Sequence, residues 1–208
     1  MMMEKPNRHN QALPQNSGLI IERLCKSYGD EIVLNNLSLR LDAHKTYCLM
    51  APSGTGKTTL FRILLGLEQP DSGEIHGLSE KRLSAVFQED RLLEGYTALE
   101  NLRFVTGRQY TNETLTNMLR TLLPEDALGK PVHEFSGGMK RRTAILRALL
   151  APSDMIIMDE PFTGLDVDTK LNVIQLIKER TEEKLLLLST HNEEDAELLS
   201  AKIIHLSK

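Results

Sequence analysis

In the stretch APSGTGKT, residues 51–58, Lys57 and Thr58 follow two spaced glycines, Gly54 and Gly56. A loop of the form G-x-x-x-x-G-K-[ST] turns its backbone N–H groups onto phosphate oxygens, sends its lysine to the terminal phosphates and offers its hydroxyl to Mg²⁺. A helix starting at the lysine would add the positive end of its dipole. Ala51 stands where the pattern has its first glycine. Its Cβ is tolerable at negative φ, whereas positive φ would cost about 1 kcal/mol or more. On these residues alone an ordinary Gly-rich turn remains the alternative.

Two further stretches carry chemistry. In MIIMDEP an apolar run ends in Asp159 and Glu160. A carboxylate at the end of a buried strand can face a metal ion held at a phosphate loop, and its neighbour can orient an attacking water. An acidic strand-to-helix loop is the plain alternative. In FSGGMKRRTAILRALLA, Ser136 is placed to cap a helix, and Gly137 and Gly138 let an anion approach bare backbone at the helix's positive end. A simple N-cap followed by flexible glycines is the other reading.

These residues need elements to position them. GLIIERL and LNNLSLRL have apolar residues near every second position, as strands with one buried face do. KTYCLMAPSGTGKTTLFRILLGL reads as strand, loop and helix, with Leu60, Ile63, Leu64 and Leu67 at helical spacing. MIIMDE and LLLLSTH look like strands buried on both faces of a parallel sheet, and Leu171, Val173, Ile174, Leu176 and Ile177 form a helical stripe between them. LTNMLRTLL and RRTAILRALLA suggest helices, with no convincing strand from about residue 89 to 150. The expected fold class is α/β.

Composition bounds the function. A chain of 208 residues with 40% hydrophobic content fits one globular domain with a real core. A net charge of −4 gives no electrostatic reason to bind nucleic acid, so none is expected as a partner. Cys25 and Cys48 lack metal-type spacing and read as reduced thiols. No apolar run approaches the ~20 residues that span a bilayer, and the polar first 17 residues lack the apolar centre of a signal peptide.

The phosphate loop, FSGGM, MIIMDEPFTGLD and a histidine after LLLLST, in this order, resemble the nucleotide-binding domain of ABC ATPases from about Leu19 onward. The resemblance implies a P-loop NTPase core with a mixed, mainly parallel sheet, an antiparallel β subdomain near the N-terminus and an inserted helical subdomain. Residues 1–17 are then a flexible tail and 18–208 the ATPase domain. Its RecA-like core with the β subdomain takes 18–88 and 151–208, and its helical subdomain about 89–150.

The resemblance also implies ATP and Mg²⁺ as cofactors. Tyr28 in KSYGD matches the residue that stacks on adenine, a turn tyrosine resting on the core being the alternative. Ser53, Gly54, Thr55, Gly56, Lys57, Thr58 and Thr59 would surround the phosphates. Thr58, Gln88 and Asp159 would hold the metal, Glu160 would align the water, and His191 would sense the γ-phosphate. Lys57 and Gln88 join Glu160 and His191 as catalytic candidates. Ser136, Gly137, Gly138 and Asp166 would meet the nucleotide of a second subunit packed head to tail, giving a homodimer, or a pair with another ATPase subunit, in the ATP-bound state. Met139 and Phe135 depart from the family's usual Gln and Leu. Met139 makes the chain similar to importer ATPases of the nitrate, sulfonate and taurine type.

The implied function is ATP hydrolysis that energises small-solute import through separate transmembrane permease subunits, with a solute-binding protein as a further candidate member. VFQEDRLLEGYTALENL, residues 86–102, resembles the permease-docking region, which places the chain peripherally on the cytoplasmic side of the cell membrane. Export or a mechanical envelope complex is the alternative. DNA or translation work ranks below both, since no heptad tract or second nucleotide domain is present. No carboxy-terminal regulatory domain is expected after AKIIHLSK.

Overall fold

The computed structural model describes residues 18–206. The expected flexible tail, residues 1–17, lies outside the described residues. β1 (Leu19–Tyr28) and β2 (Glu31–Leu41) form an antiparallel hairpin, and β4 (Ser72–His76) pairs antiparallel with the other edge of β1. The second sheet contains β3 (Thr46–Met50), β5 (Leu83–Val86), β6 (Met155–Asp159), β7 (Leu185–Ser189) and β8 (Lys202–His205) in the order β5-β6-β7-β3-β8. All its pairings are parallel. The fold is therefore the expected α/β architecture, with the antiparallel strands gathered into a sheet of their own.

Parallel strands buried on both faces read as continuous apolar runs, because successive side chains point to opposite sides and both sides are covered. Met155, Ile157, Leu185, Leu187, Tyr47 and Leu49 enter one core, with α1 (Lys57–Leu64) and the hairpin. Ile156, Met158, Leu186, Leu188, Cys48 and Met50 enter the other. That second core also takes residues of α2 (Ala98–Thr106), α3 (Asn112–Arg120), α4 (Gly137–Leu150), α5 (Val167–Thr181) and α6 (Glu193–Leu198). Each fully buried leucine stabilises the fold by about 1.5–3 kcal/mol. Burial also pushes the Cys48 thiol up to about 11, as suits an unreactive core cysteine.

Two stripes are narrower than their spacing suggests. α1 stops at Leu64 and Gly66 turns the chain at φ 69°, so Leu67 ends 49% exposed rather than on the helix's buried face. On α5, Val173, Ile174 and Ile177 are buried, but Leu171 is 43% exposed. α2 to α4 all lie between β5 and β6. α2 starts with a capping box in which Thr97 and Glu100 satisfy each other's backbone N–H groups.

Because the five strands run the same way, the loops after β3, β5, β6 and β7 leave from one edge of the sheet. That edge is where α/β proteins place their ligands.

Candidate functional site

The loop after β3 has the shape its glycines allow. Gly54 and Gly56 have φ of 78° and 95°, in the left-handed region. A Cβ at Gly56 would also sit 2.9 Å from the Val33 carbonyl oxygen and 2.8 Å from Leu34 Cδ2. Ala51 is absent from the described non-glycine residues with positive φ, so the condition for its tolerance is met. Thr55 is buried and its hydroxyl donates to the Pro52 carbonyl at 2.7 Å, a bond that braces the loop from inside. Ser53 is exposed on the loop, and Thr59, just after it, is half-buried.

Lys57 begins α1 and is only 6% exposed, yet its Nζ meets backbone carbonyls alone, Ala51 O at 2.6 Å and Pro52 O at 3.2 Å. It has no carboxylate partner among the described residues. A buried ammonium without a counter-charge, at a helix N-terminus, is an anion site by its electrostatics.

Beside it, Thr58 Oγ1 donates to Asp159 Oδ2 at 2.7 Å, and Ser189 Oγ donates to Asp159 Oδ1, also at 2.7 Å. Asp159 is 6% exposed and makes no ion pair among the described residues. A hydroxyl and an unneutralised carboxylate in contact, both hard oxygen donors, suit Mg²⁺. Ser189 lies opposite Asp159 in the β6–β7 register and also accepts from the Glu160 N–H at 2.9 Å. One buried hydroxyl thus fixes both acidic residues.

Glu160 has φ 47°, a sparsely populated conformation for a residue with a side chain. It turns the chain sharply off β6, and its Oε1 lies 2.6 Å from His191 Nε2. His191 is half exposed, just beyond β7. Tyr28, at the end of β1, is 47% exposed; its hydroxyl donates to Glu68 Oε1 at 2.5 Å and Lys26 Nζ sits 5.4 Å from its ring centroid. Its hydroxyl also contacts Thr59, next to the phosphate loop's lysine and threonine.

Gln88 sits just past β5. Arg141 of α4 donates to Phe87 O at 2.7 Å and Gln88 O at 2.5 Å, and its Nε pairs with Asp90 Oδ1 at 3.2 Å. Burial pushes the Asp90 carboxyl up despite that pairing.

Ser136, Gly137 and Gly138 stand apart from this hydrogen-bonded set. Ser136 caps α4, accepting from Met139 N at 3.3 Å. A Cβ at Gly137 would meet no atom of the described residues within 4 Å. Asp166 caps α5 by accepting from Thr169 N at 2.9 Å, which holds its carboxyl below the usual range.

Lys57, Thr58, Asp159, Glu160 and His191 are therefore brought together at the sheet edge. Sequence reasoning missed Ser189, Thr190, Lys170, Asp195 and Arg141. The one available signal was Ser189, a polar residue ending a purely apolar strand.

The family model described as "ABC transporter" matches residues 34–163. The Nod factor export ATP-binding protein I of Rhizobium sp. is 36% identical over 199 residues, covering 86% of this chain and 64% of that protein. An aliphatic sulfonates import ATP-binding protein of Nocardia farcinica is 35% identical, covering 90% of this chain and 77% of that protein. The chain thus spans less than two thirds of the Nod factor relative's length. A solved ATP-binding cassette, dimeric and bound to ADP and Pi after hydrolysis, superposes with a TM-score of 0.79 at 27% identity, covering 91% of this chain and 94% of that one.

Proposed function

Because this chain belongs to the ABC transporter family of ATP-binding proteins, we propose that it binds and hydrolyses ATP to drive transport through separate transmembrane permease subunits. The observation that carries this reading is Lys57, a buried, uncompensated cation touching the loop whose next residue, Thr58, bonds Asp159.

In the proposed reaction, backbone N–H groups from Ser53 to Thr59 hold the α- and β-phosphates, and Lys57 neutralises charge toward the γ-phosphate. Tyr28 supplies an aromatic face for adenine. Thr58, Asp159 and Gln88 would hold Mg²⁺, which supplies further charge neutralisation at the phosphates. Glu160 orients a water against the γ-phosphorus and draws off its proton as the bond to the β-phosphate oxygen breaks, releasing ADP and phosphate. His191 holds Glu160 from the other side and is placed to contact the γ-phosphate.

Ser136, Gly137 and Gly138 would complete the site of a second copy, packed head to tail. The space open beside Gly137 supports this, since no described residue crowds the position. Asp166 would meet that copy at the same interface. We further propose the helices between about 89 and 150 as a subdomain that carries the Ser136 stretch and moves with it when two ATP molecules close the dimer.

The permease surface proposed for residues 86–102 extends to Phe104. Leu93, Tyr96 and Phe104 are 42%, 45% and 61% exposed, and the Tyr96 and Phe104 rings meet edge to face at 5.3 Å. Asn101 is buried and pins the loop beneath them with bonds to Leu93 and Thr97. Docking there would hold the chain at the cytoplasmic face of the membrane. Small-solute import, with a solute-binding protein, is the first direction to test, and export is the reading that the Nod factor relatives favour.

The test is nucleotide binding and phosphate release by the purified chain. Wild type should do both with ATP and Mg²⁺, and Lys57→Met should lose turnover by about 10²-fold or more. A wild-type chain that binds no ATP would overturn the reading.

A further inference from the structure

Behind His191 a set of polar contacts continues away from the phosphate loop. Lys170, four residues beyond Asp166 on α5, forms a 2.7 Å ion pair with Asp195 Oδ1 on α6, their side chains 16% and 4% exposed. The other Asp195 oxygen accepts from Thr190 Oγ1 at 2.8 Å, and Thr190 Oγ1 accepts from the Asn192 N–H at 3.2 Å. The residues on both sides of His191 are thereby tied to one buried carboxylate. A cavity of about 280 Å³, lined by Glu160, Thr163, Lys170, Thr190, His191 and Asp195 among others, lies between this tether and the acidic turn after β6.

A buried ion pair is not the cheapest filling for such a place, since apolar residues of similar volume are often as stable or more so. What it adds is fixed geometry. The half-exposed His191 ring holds a 2.6 Å contact with Glu160 only if its loop is held in place. The same contacts reach the helix that Ser136 caps, because Arg142 Nη1 of α4 donates to Thr169 Oγ1 on α5 at 3.2 Å.

We propose that Lys170, Asp195 and Thr190 are positioning residues that hold His191 against Glu160 and tie that pair to α5, the helix capped by Asp166. A second copy that contacts Asp166 would then act on the hydrolytic pair through a rigid link. This inference rests on the ATPase reading above.

Thr190→Val removes the hydroxyl at nearly constant volume, and Thr190→Ser returns it. In the purified full chain, phosphate release against ATP concentration should give kcat about tenfold lower for Thr190→Val, with KM within about twofold of wild type. Thr190→Ser should recover most of the rate. Amide hydrogen exchange over residues 189–193 should run about tenfold faster in Thr190→Val. The same is expected of the double variant Lys170→Met with Asp195→Leu, which refills the space with apolar side chains and keeps the fold. Wild-type kcat in Thr190→Val, or a Thr190→Ser as slow as Thr190→Val, would overturn the proposal. A wild-type chain without ATPase activity would count against the ATPase reading instead. The exchange comparison would then decide the tether, and unaltered exchange in both variants would overturn it.

Discussion

Ala51 keeps a negative φ at the end of β3, so adding or removing its Cβ leaves the loop's geometry alone. Ala51→Gly is therefore expected to change ATP affinity by less than about twofold, apart from the small entropic cost of a glycine. Gly56 is the opposite case. At φ 95°, with Val33 and Leu34 against it, Gly56→Ala should cost about 1–3 kcal/mol of stability and abolish nucleotide binding. Thermal melts and nucleotide titrations of both variants check this, and an innocuous Gly56→Ala would refute the loop geometry. The glycines and Lys57 were legible in the sequence because they lie within eight residues of one another. Ser189 was marked only as the polar end of an apolar run; its pairing with Asp159 was not legible, since the two are 30 residues apart and meet only through the parallel register of β6 and β7.

The elements were legible where one periodicity ran long enough. The apolar runs of β6 and β7 announced a parallel sheet buried on both faces, and the alternation in β1 and β2 announced strands with one buried face; their antiparallel pairing came only from the family resemblance. Strand order was not legible, because a run buried on both faces carries no mark of its neighbours. Part of that order is pinned by polar contacts at strand starts. Asp154, just before β6, accepts from the Arg82 N–H at 2.9 Å, Nε at 3.1 Å and Nη2 at 2.9 Å, just before β5. These bonds hold the Asp154 carboxyl down to about 2. A carboxyl depressed by folding stabilises the native state above its unfolded value of about 3.9, and that contribution fades as pH falls from there toward the folded value. Asp154→Asn should thus unfold more easily than wild type near neutral pH, by under about 1 kcal/mol because the pair is partly exposed. The gap should narrow below about pH 4 in denaturant titrations. A gap that stays constant with pH would remove the ion pair as its cause.

At the scale of the whole molecule, two surfaces remain for partners. Under the proposed function, Ser136 and Gly137, which stand apart from the nucleotide edge, would serve a second copy, and the exposed Leu93, Tyr96 and Phe104 would serve a permease. Phe104→Ser should leave ATP binding intact and sharply reduce recovery of a polytopic partner from native membranes, as loss of a central aromatic anchor does. Recovery at the wild-type level would exclude this face. Phe104 lay beyond the docking stretch read from the sequence, because its exposure depends on how α2 is rotated rather than on any local motif. If Glu160 activates the water for ATP hydrolysis, phosphate release by Glu160→Gln beside wild type shows it. Glu160→Gln should bind ATP near the wild-type level with turnover reduced about 10²-fold or more. Hydrolysis by Glu160→Gln at the wild-type rate would contradict it.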